Sequence, residues 1–190
     1  MTNSSTSASG KTRMLTEAGI CIAMAIALSY IKIPIGLSFG GFGGSIDLVM
    51  VPLVLFALKW GAKWGCLAGL VFGTLKYFLA SGFAVSWVSI IFDYSVAYAA
   101  VGLAGLFAAK DGAPSLHASA AGAFAGCLAR FIVHFISGVT VYAQYMPENF
   151  ANPFVYSLFY NGTYMLPNTI LCVIVISLMA KPLKNLYLSR

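Results

Sequence analysis

Long apolar runs separated by short polar segments follow one another along almost the whole chain. A helix that crosses the hydrocarbon core of a bilayer needs about 20 predominantly apolar residues. By that criterion the pattern predicts six helices, at residues 14–31, 46–59, 62–80, 86–109, 117–142 and 154–180. The chain is therefore predicted to be an all-α, polytopic membrane protein with six transmembrane helices in one bundle.

Composition supports this prediction. Of the 190 residues, 60% are hydrophobic and only 8% are charged, whereas about a quarter of a soluble domain is charged. The length suits one domain, at 14–185, preceded by a small, polar segment at 1–13 that is predicted to be a disordered cytoplasmic tail. The first apolar run is longer than that of a signal peptide, so a retained helix is expected.

The second apolar run is too short for a full crossing and follows the glycine-rich sequence GLSFGGFGGS at 36–45. Irregular backbone at membrane depth is tolerated only where protein or a cavity covers it. Residues 36–45 are therefore a candidate lid or re-entrant loop over a site. The polar segment YAQYMPENFANP, before the last helix, is a second loop on the same side.

The basic residues predict the orientation. Eight of the eleven fall at one set of helix ends: Lys11, Arg13, Lys59, Lys63, Lys110, Lys181, Lys184 and Arg190. Because cytoplasmic loops are enriched in Lys and Arg, both termini are predicted to be cytoplasmic. The net charge of +6 is explained by these positions, and no motif indicates nucleic-acid binding. Four cysteines in apolar runs, without a CxxC pair, are typical of small buried side chains.

The first helix carries Gly19, Ala23 and Ala27 at four-residue spacing. Such a stripe of small residues lets another helix approach closely. The sequence leaves two alternatives open, namely packing within this protein and docking onto a separate subunit.

Ionisable groups within the bilayer are costly and usually face a partner or a cavity. Five fall within the predicted helices: Asp47, Lys76, Asp93, Arg130 and His134. Arg130 is a candidate structural partner for a buried acid such as Asp93, and its role stays open, whereas His134, one helical turn from Arg130, is expected to face a solute. The role of Lys76 stays open, since its long side chain can also reach the membrane surface.

The last helix adds a tyrosine stripe at Tyr156, Tyr160 and Tyr164, with Ser157 and Asn161 beside it. Together with Asp93 and His134, these groups predict a cavity in the outer half of the bundle. Carboxylate and amide groups pair with an aminated heterocycle, and aromatic faces attract a cation. A flat, nitrogen-rich, cationic ligand is therefore indicated. The lack of further basic residues in the predicted pocket argues against a ligand that carries phosphate groups.

Enzyme and metal chemistry find no support in the motifs. There is no GxSxG or HExxH, and the two histidines are seventeen residues apart. We expect no metal, no cofactor and no enzyme activity.

Four segments carry a resemblance to a known family: GGSIDLVMVPLVLFALKWGAKWG (43–65), FDY (92–94), HFISG (134–138) and YSLFYNG (156–162). With these segments the chain resembles, over about 14–185, the thiamine-specific S components of energy-coupling factor (ECF) vitamin transporters. The resemblance implies high-affinity capture of thiamine at the outer face of a bacterial cell membrane. It also implies docking through the first helix onto a transmembrane coupling subunit that works with two cytoplasmic ATPases.

Matched by position, the resemblance assigns substrate binding to Asp93, Tyr94, His134, Tyr142, Tyr156, Asn161 and, less securely, Asp47. Asp93 stands where the family has glutamate, and Tyr142 where it has a stacking tryptophan. These departures leave a thiamine precursor such as an aminopyrimidine open as the ligand. The sequence contains no GxxxxGK[ST] loop, so the energy for transport must come from partner ATPases or from an ion gradient. A solitary proton-coupled transporter is therefore the alternative to dependence on partner ATPases.

Overall fold

The computed structural model of the chain describes residues 3–35, 44–80, 82–109 and 112–188. In these ranges lie six main helices: α1 (Asn3–Ser29), α2 (Met50–Trp60), α3 (Ala62–Leu79), α4 (Trp87–Phe107), α5 (Leu116–Thr140) and α6 (Pro153–Met179). A short helix α7 (Lys184–Leu188) follows α6. The strands β1 (Ile33–Pro34) and β2 (Ser45–Ile46) form a small antiparallel hairpin between α1 and α2. The predicted all-α fold with six helices is confirmed.

Four described segments are long and apolar enough to cross a membrane: Ser9–Ser29, Trp87–Phe107, Leu116–Thr140 and Pro153–Met179. Helix α2 has only 11 residues, which agrees with the prediction that the second run is too short for a full crossing. Its residues from Met50 to Lys59 are all buried, as expected of a helix that is apolar on every side. Helix α2 is thus the centre of the bundle, and the longer helices pack around it.

The first helix begins earlier than predicted. The backbone is helical from Asn3, so most of the segment predicted as a disordered tail at 1–13 continues α1. The Thr16 hydroxyl donates to the Thr12 carbonyl (3.0 Å), and Arg13 pairs with Glu17 one turn away (3.0 Å). Because helix propagation costs less than nucleation, a polar segment without proline can extend a helix that tertiary packing has already formed.

Lys59 lies near the end of α2, where the sequence predicts a basic residue at a cytoplasmic helix end. Its side chain is nevertheless buried, with only 2% exposed. Its Nζ donates to Glu17 Oε1 (2.7 Å), and Trp60 Nε1 donates to the other oxygen of the same carboxylate (2.8 Å). This ion pair joins α1 to α2. A single residue, Gly61 with φ +86°, then separates α2 from α3, a backbone conformation that favours glycine.

Helices α3 and α4 approach closely along a stripe of glycines on α3. A Cβ atom at Gly69 would lie 2.1 Å from the Tyr98 carbonyl oxygen, and one at Gly73 would lie 2.1 Å from that of Tyr94. Glycine therefore allows the two backbones to touch. The contact fixes the part of α4 that carries the site residues described below.

Three predicted features fall partly or wholly outside the described residues. They are the glycine-rich segment, at 36–43, and the basic residues Lys110 and Arg190. All four cysteines are described and are free thiols, and Cys127 and Cys172 are buried, as the sequence predicted.

Candidate functional site

A cavity of about 190 Å³ lies between the hairpin and helices α3, α4, α5 and α6. Six of the seven residues predicted to bind a ligand line it: Asp93, Tyr94, His134, Tyr142, Tyr156 and Asn161. These residues come from α4, α5, α6 and the segment after α5. The bundle therefore brings together side chains as far apart in the sequence as Asp93 and Asn161.

Asp93 and Tyr94 lie in a wider turn of α4. Residues Ile91–Val96 form a π-helical segment between regular helical turns, and such insertions are frequent at functional sites. Asp93 Oδ1 lies 3.3 Å from His134 Nδ1 of α5. Among the described residues, neither Asp93 Oδ2 nor His134 Nε2 has a hydrogen-bond partner, although both atoms are buried.

Arg130 does not pair with Asp93, the buried acid that the sequence offered as one candidate partner. Its Nη2 donates to the Tyr98 hydroxyl (3.0 Å), and its guanidinium lies 4.1 Å from the centroid of the Tyr98 ring. One helical turn separates Arg130 from His134, and it is His134 whose ring reaches the carboxylate. Arg130 Nε and Nη1 are buried without a partner within the described part of the chain, and Arg130 lines the cavity.

Lys76 is a cavity residue rather than a side chain that reaches the membrane surface. Its Nζ donates to the Tyr98 hydroxyl and lies 3.7 Å from Asp47 Oδ2. The cavity is thus lined by Lys76 and Arg130, with the exposed Lys32 in addition. The expectation of a pocket without further basic residues was wrong, because helix rotation turns these cations inward.

Asp47 is not among the residues that line the cavity. Its carboxylate accepts from the Val49 backbone at the start of α2 (3.2 Å) and from the Ser45 hydroxyl (3.2 Å), in addition to its ion pair with Lys76. Asp47 therefore organises the segment between β2 and α2, next to the cavity.

Asn161 lines the cavity, but neighbouring protein groups already bond its polar atoms. Its Nδ2 donates to the carbonyl of Ser157 (2.9 Å) and lies within reach of the carbonyl of His134 (3.3 Å), and its Oδ1 accepts from the Tyr164 hydroxyl (2.6 Å). A Cβ atom at Gly138 would lie 2.2 Å from Ser157 Oγ. Gly138 and Asn161 thus hold α5 against α6 at the level of the cavity.

Tyrosines form much of the remaining wall. The rings of Tyr156 and Tyr160 are stacked with centroids 5.7 Å apart, and Tyr160 packs edge-on against Tyr164. The Tyr94 hydroxyl is held by the backbone of Phe83. Burial and the nearby Asp93 carboxylate raise the pKa of the Tyr142 hydroxyl, so this hydroxyl is neutral at physiological pH.

Tyr98, Tyr160 and Tyr164 were not among the predicted binding residues. The sequence carries a signal for Tyr98, since it lies one helical turn after Tyr94 and four-residue spacing places two side chains on one face. The tyrosine stripe at 156–164 was recognised, although only Tyr156 was assigned to the site.

The stripe of small residues on α1 points away from the bundle. Gly19, Ala23 and Ala27 are exposed, and a Cβ atom at Gly19 would meet nothing within 4 Å. Residues on the opposite side of α1, such as Met14 and Ala25, are buried. Within the described part of the chain the stripe is therefore not buried against another helix, and docking onto a separate subunit stays a prediction.

Comparison with known proteins identifies relatives along nearly the whole length. Residues 15–188 match the family described as "Thiamine transporter protein (Thia_YuaJ)". The thiamine transporter ThiT of Bacillus subtilis is 34% identical over 145 residues, which are 72% of this chain and 75% of that protein. The ThiT of Lacticaseibacillus paracasei is 30% identical over 188 residues, 93% of this chain and 91% of that protein.

A solved structure of ThiT from Listeria monocytogenes has the same fold. It superposes with a TM-score of 0.80 and covers 94% of this chain and 98% of the solved chain, at 23% sequence identity. The bundle described above is therefore a known helical membrane architecture.

Proposed function

Because this chain belongs to the thiamine transporter protein family, we propose that it captures thiamine in the cavity between α3 and α6 and delivers it for uptake as the substrate-binding subunit of an ATP-driven ECF transporter. Members of this family are bacterial multi-pass membrane proteins that transport thiamine, and they are not enzymes. The proposal adds the binding residues, the orientation with both termini in the cytoplasm, and the partner subunits.

One observation supports the binding site above all. Polar atoms of Asp93, His134 and Arg130 that lack a partner among the described residues are buried at a cavity with aromatic walls. Unpaired buried polar groups cost about 1–3 kcal/mol each. A bound molecule with its own donors and acceptors would remove this cost, so the cavity favours a polar ligand over an apolar one.

Thiamine has the complementary chemistry. Its aminopyrimidine presents an amino group next to one ring nitrogen and a second ring nitrogen across the ring, and its thiazolium ring is a flat cation. The Asp93 carboxylate can accept from the amino group, and His134 Nε2 can bond a second polar atom of the ligand. The cavity tyrosines Tyr142, Tyr156, Tyr160 and Tyr164 offer faces on which a heteroaromatic cation stacks.

The exposed stripe at Gly19, Ala23 and Ala27 supports docking onto a transmembrane coupling subunit. Small residues permit close helix contact in lipid, where packing and not the hydrophobic effect drives association. Two cytoplasmic ATPases joined to that subunit would supply the energy for uptake. The 190 residues themselves contain no GxxxxGK[ST] loop with which to bind ATP.

Uptake of labelled thiamine into a thiamine-requiring bacterial host tests the proposal. We expect uptake when the chain is expressed with a coupling subunit and its two ATPases, and none when it is expressed alone. Uptake by the chain alone that an uncoupler abolishes would overturn the ECF mechanism. It would favour the solitary proton-coupled transporter instead.

A further inference from the structure

The side chain of Asn168, in α6, holds the segment that precedes α2. Its Oδ1 accepts from the backbone N–H of Asp47 (2.8 Å), and its Nδ2 donates to the carbonyl of Ser45 (2.7 Å). Asn168 is 1% exposed, and its partners lie 121 and 123 positions away in the sequence. One carboxamide therefore satisfies a donor and an acceptor on the main chain of a distant segment.

The Asn168 side chain bonds the main chain at β2 in the way that a third strand would. Strand β2 has two residues and pairs with β1, with Ser45 opposite Pro34. An isolated two-stranded hairpin is marginally stable at best. The asparagine side chain carries one acceptor and two donors, which lets it bond a backbone N–H and a backbone carbonyl at once, as a neighbouring strand would. Asn168 thereby attaches the hairpin to α6.

The segment held in this way forms part of the cavity wall. Gly44 and Ser45 line the cavity, and Gly44, with φ +98°, lies directly on the Tyr164 ring, where a Cβ atom would be 2.6 Å from a ring carbon. Beyond Ser45, Asp47 reaches Lys76 of α3 (3.7 Å). Movement of residues 44–47 would therefore change the shape of the cavity wall. It would also separate Asp47 from Lys76, whose side chain lines the cavity.

We propose that Asn168 is a positioning residue for substrate capture: by holding residues 44–47 on α6, its carboxamide keeps Gly44 against Tyr164 and Asp47 against Lys76, and so shapes a cavity that it does not line. The inference rests on the proposed function, since it takes thiamine as the ligand whose binding the clamp supports.

The test compares two variants of the purified full chain in detergent. Asn168→Leu keeps the branching of asparagine at Cγ with a somewhat larger side chain, and it removes both hydrogen bonds. Thr169→Val is the matched control at the neighbouring position, because the Thr169 hydroxyl donates to the Met165 carbonyl of the same helix and lies near the Cys127 thiol of α5, and neither group belongs to residues 44–47. Equilibrium binding of radiolabelled thiamine should weaken at least about tenfold in Asn168→Leu and change less than about twofold in Thr169→Val.

Hydrogen–deuterium exchange supplies a readout that general destabilisation would not produce. In ligand-free Asn168→Leu the amides of residues 44–49 should exchange faster than in the wild type, while those of α4 and α5 stay as protected as before. If Asn168→Leu does not yield folded protein, Asn168→Ala carries the same expectation, since it also removes the carboxamide and introduces no new bulk.

Thiamine affinity in Asn168→Leu equal to that of the wild type would overturn the inference. Unchanged exchange at residues 44–49 would overturn it as well, whatever the affinity. Failure of the wild type to bind thiamine would instead overturn the proposed function, and the exchange measurement on ligand-free protein would then decide by itself whether Asn168 anchors the hairpin.

Discussion

Asp93 and His134 meet across the interface between α4 and α5, with the carboxylate Oδ1 3.3 Å from the imidazole Nδ1. The second polar atom of each side chain is buried without a partner in the described residues. The pair thus satisfies half of its hydrogen-bonding capacity internally and presents the other half to the cavity. This division is what a ligand site requires, because each side chain is oriented by one contact and free to bind through the other.

Asp93→Asn and His134→Ala are each expected to weaken thiamine binding by about 1–3 kcal/mol, or about 5- to 150-fold, because each change leaves buried polar groups of the ligand and of the site unpaired. Equilibrium binding to the purified variants measures the effect. Since the two side chains are in contact, the double variant should lose less than the sum of the two changes. Glu148→Gln, which alters an exposed carboxyl, is the control; unchanged affinity in both site variants would refute the assigned pocket.

Ala23→Trp and Ala27→Trp are expected to leave thiamine binding intact and to abolish uptake. Both residues are exposed on α1 and away from the cavity, so a large ring there blocks only the approach of another helix. Binding to purified protein and uptake by cells that express the partner subunits separate the two effects. Leu178→Trp, at an exposed position of α6, should retain uptake, and loss of binding in the α1 variants would contradict the docking assignment.

Glu17→Gln is expected to lower the free energy of unfolding by about 3–5 kcal/mol, because it leaves the buried Lys59 ammonium without its counter-charge. Arg13→Gln removes the exposed partner of the same carboxylate and should cost less than about 1 kcal/mol. Denaturant unfolding of the purified variants in detergent provides the comparison. Equal stability of the two variants would show that the ion pair of Glu17 and Lys59 does not hold α1 to α2.

Gly138→Ala is expected to destabilise the protein by about 1–3 kcal/mol and to weaken thiamine binding, because the new methyl group would force Ser157 and Asn161 away from α5. Gly162→Ala is the matched control in α6. A Cβ atom there meets nothing within 4 Å, so the higher helix propensity of alanine should stabilise the protein by up to about 1 kcal/mol. Thermal unfolding and thiamine binding of both variants test the prediction, which fails if Gly138→Ala behaves like Gly162→Ala.

The positions of the helices could be predicted with good accuracy because bilayer thickness translates directly into the length of apolar runs. Predicted runs at 86–109, 117–142 and 154–180 correspond to α4, α5 and α6 within two residues at each end. The start of α1 could not be predicted in the same way. Its first turns are polar and extend a helix whose first buried side chain, among those described, is Met14. The pattern of apolar residues carries no information about such an extension.

The amino-acid sequence by itself determined that the chain enters a membrane, how many helices it forms, and that Asp93, His134 and Asn161 need polar surroundings within the bundle. These properties follow from the cost of placing polar groups in hydrocarbon, which depends on residue type alone. The tertiary structure decided the partners: Asp93 meets His134 and not Arg130, and Lys76 meets Asp47. Each pairing depends on the rotation of the helices, on the π-helical turn of α4 and on contacts as close as that of Gly138 with Ser157. If one helix shifts by one residue relative to its neighbours, all of these pairings change.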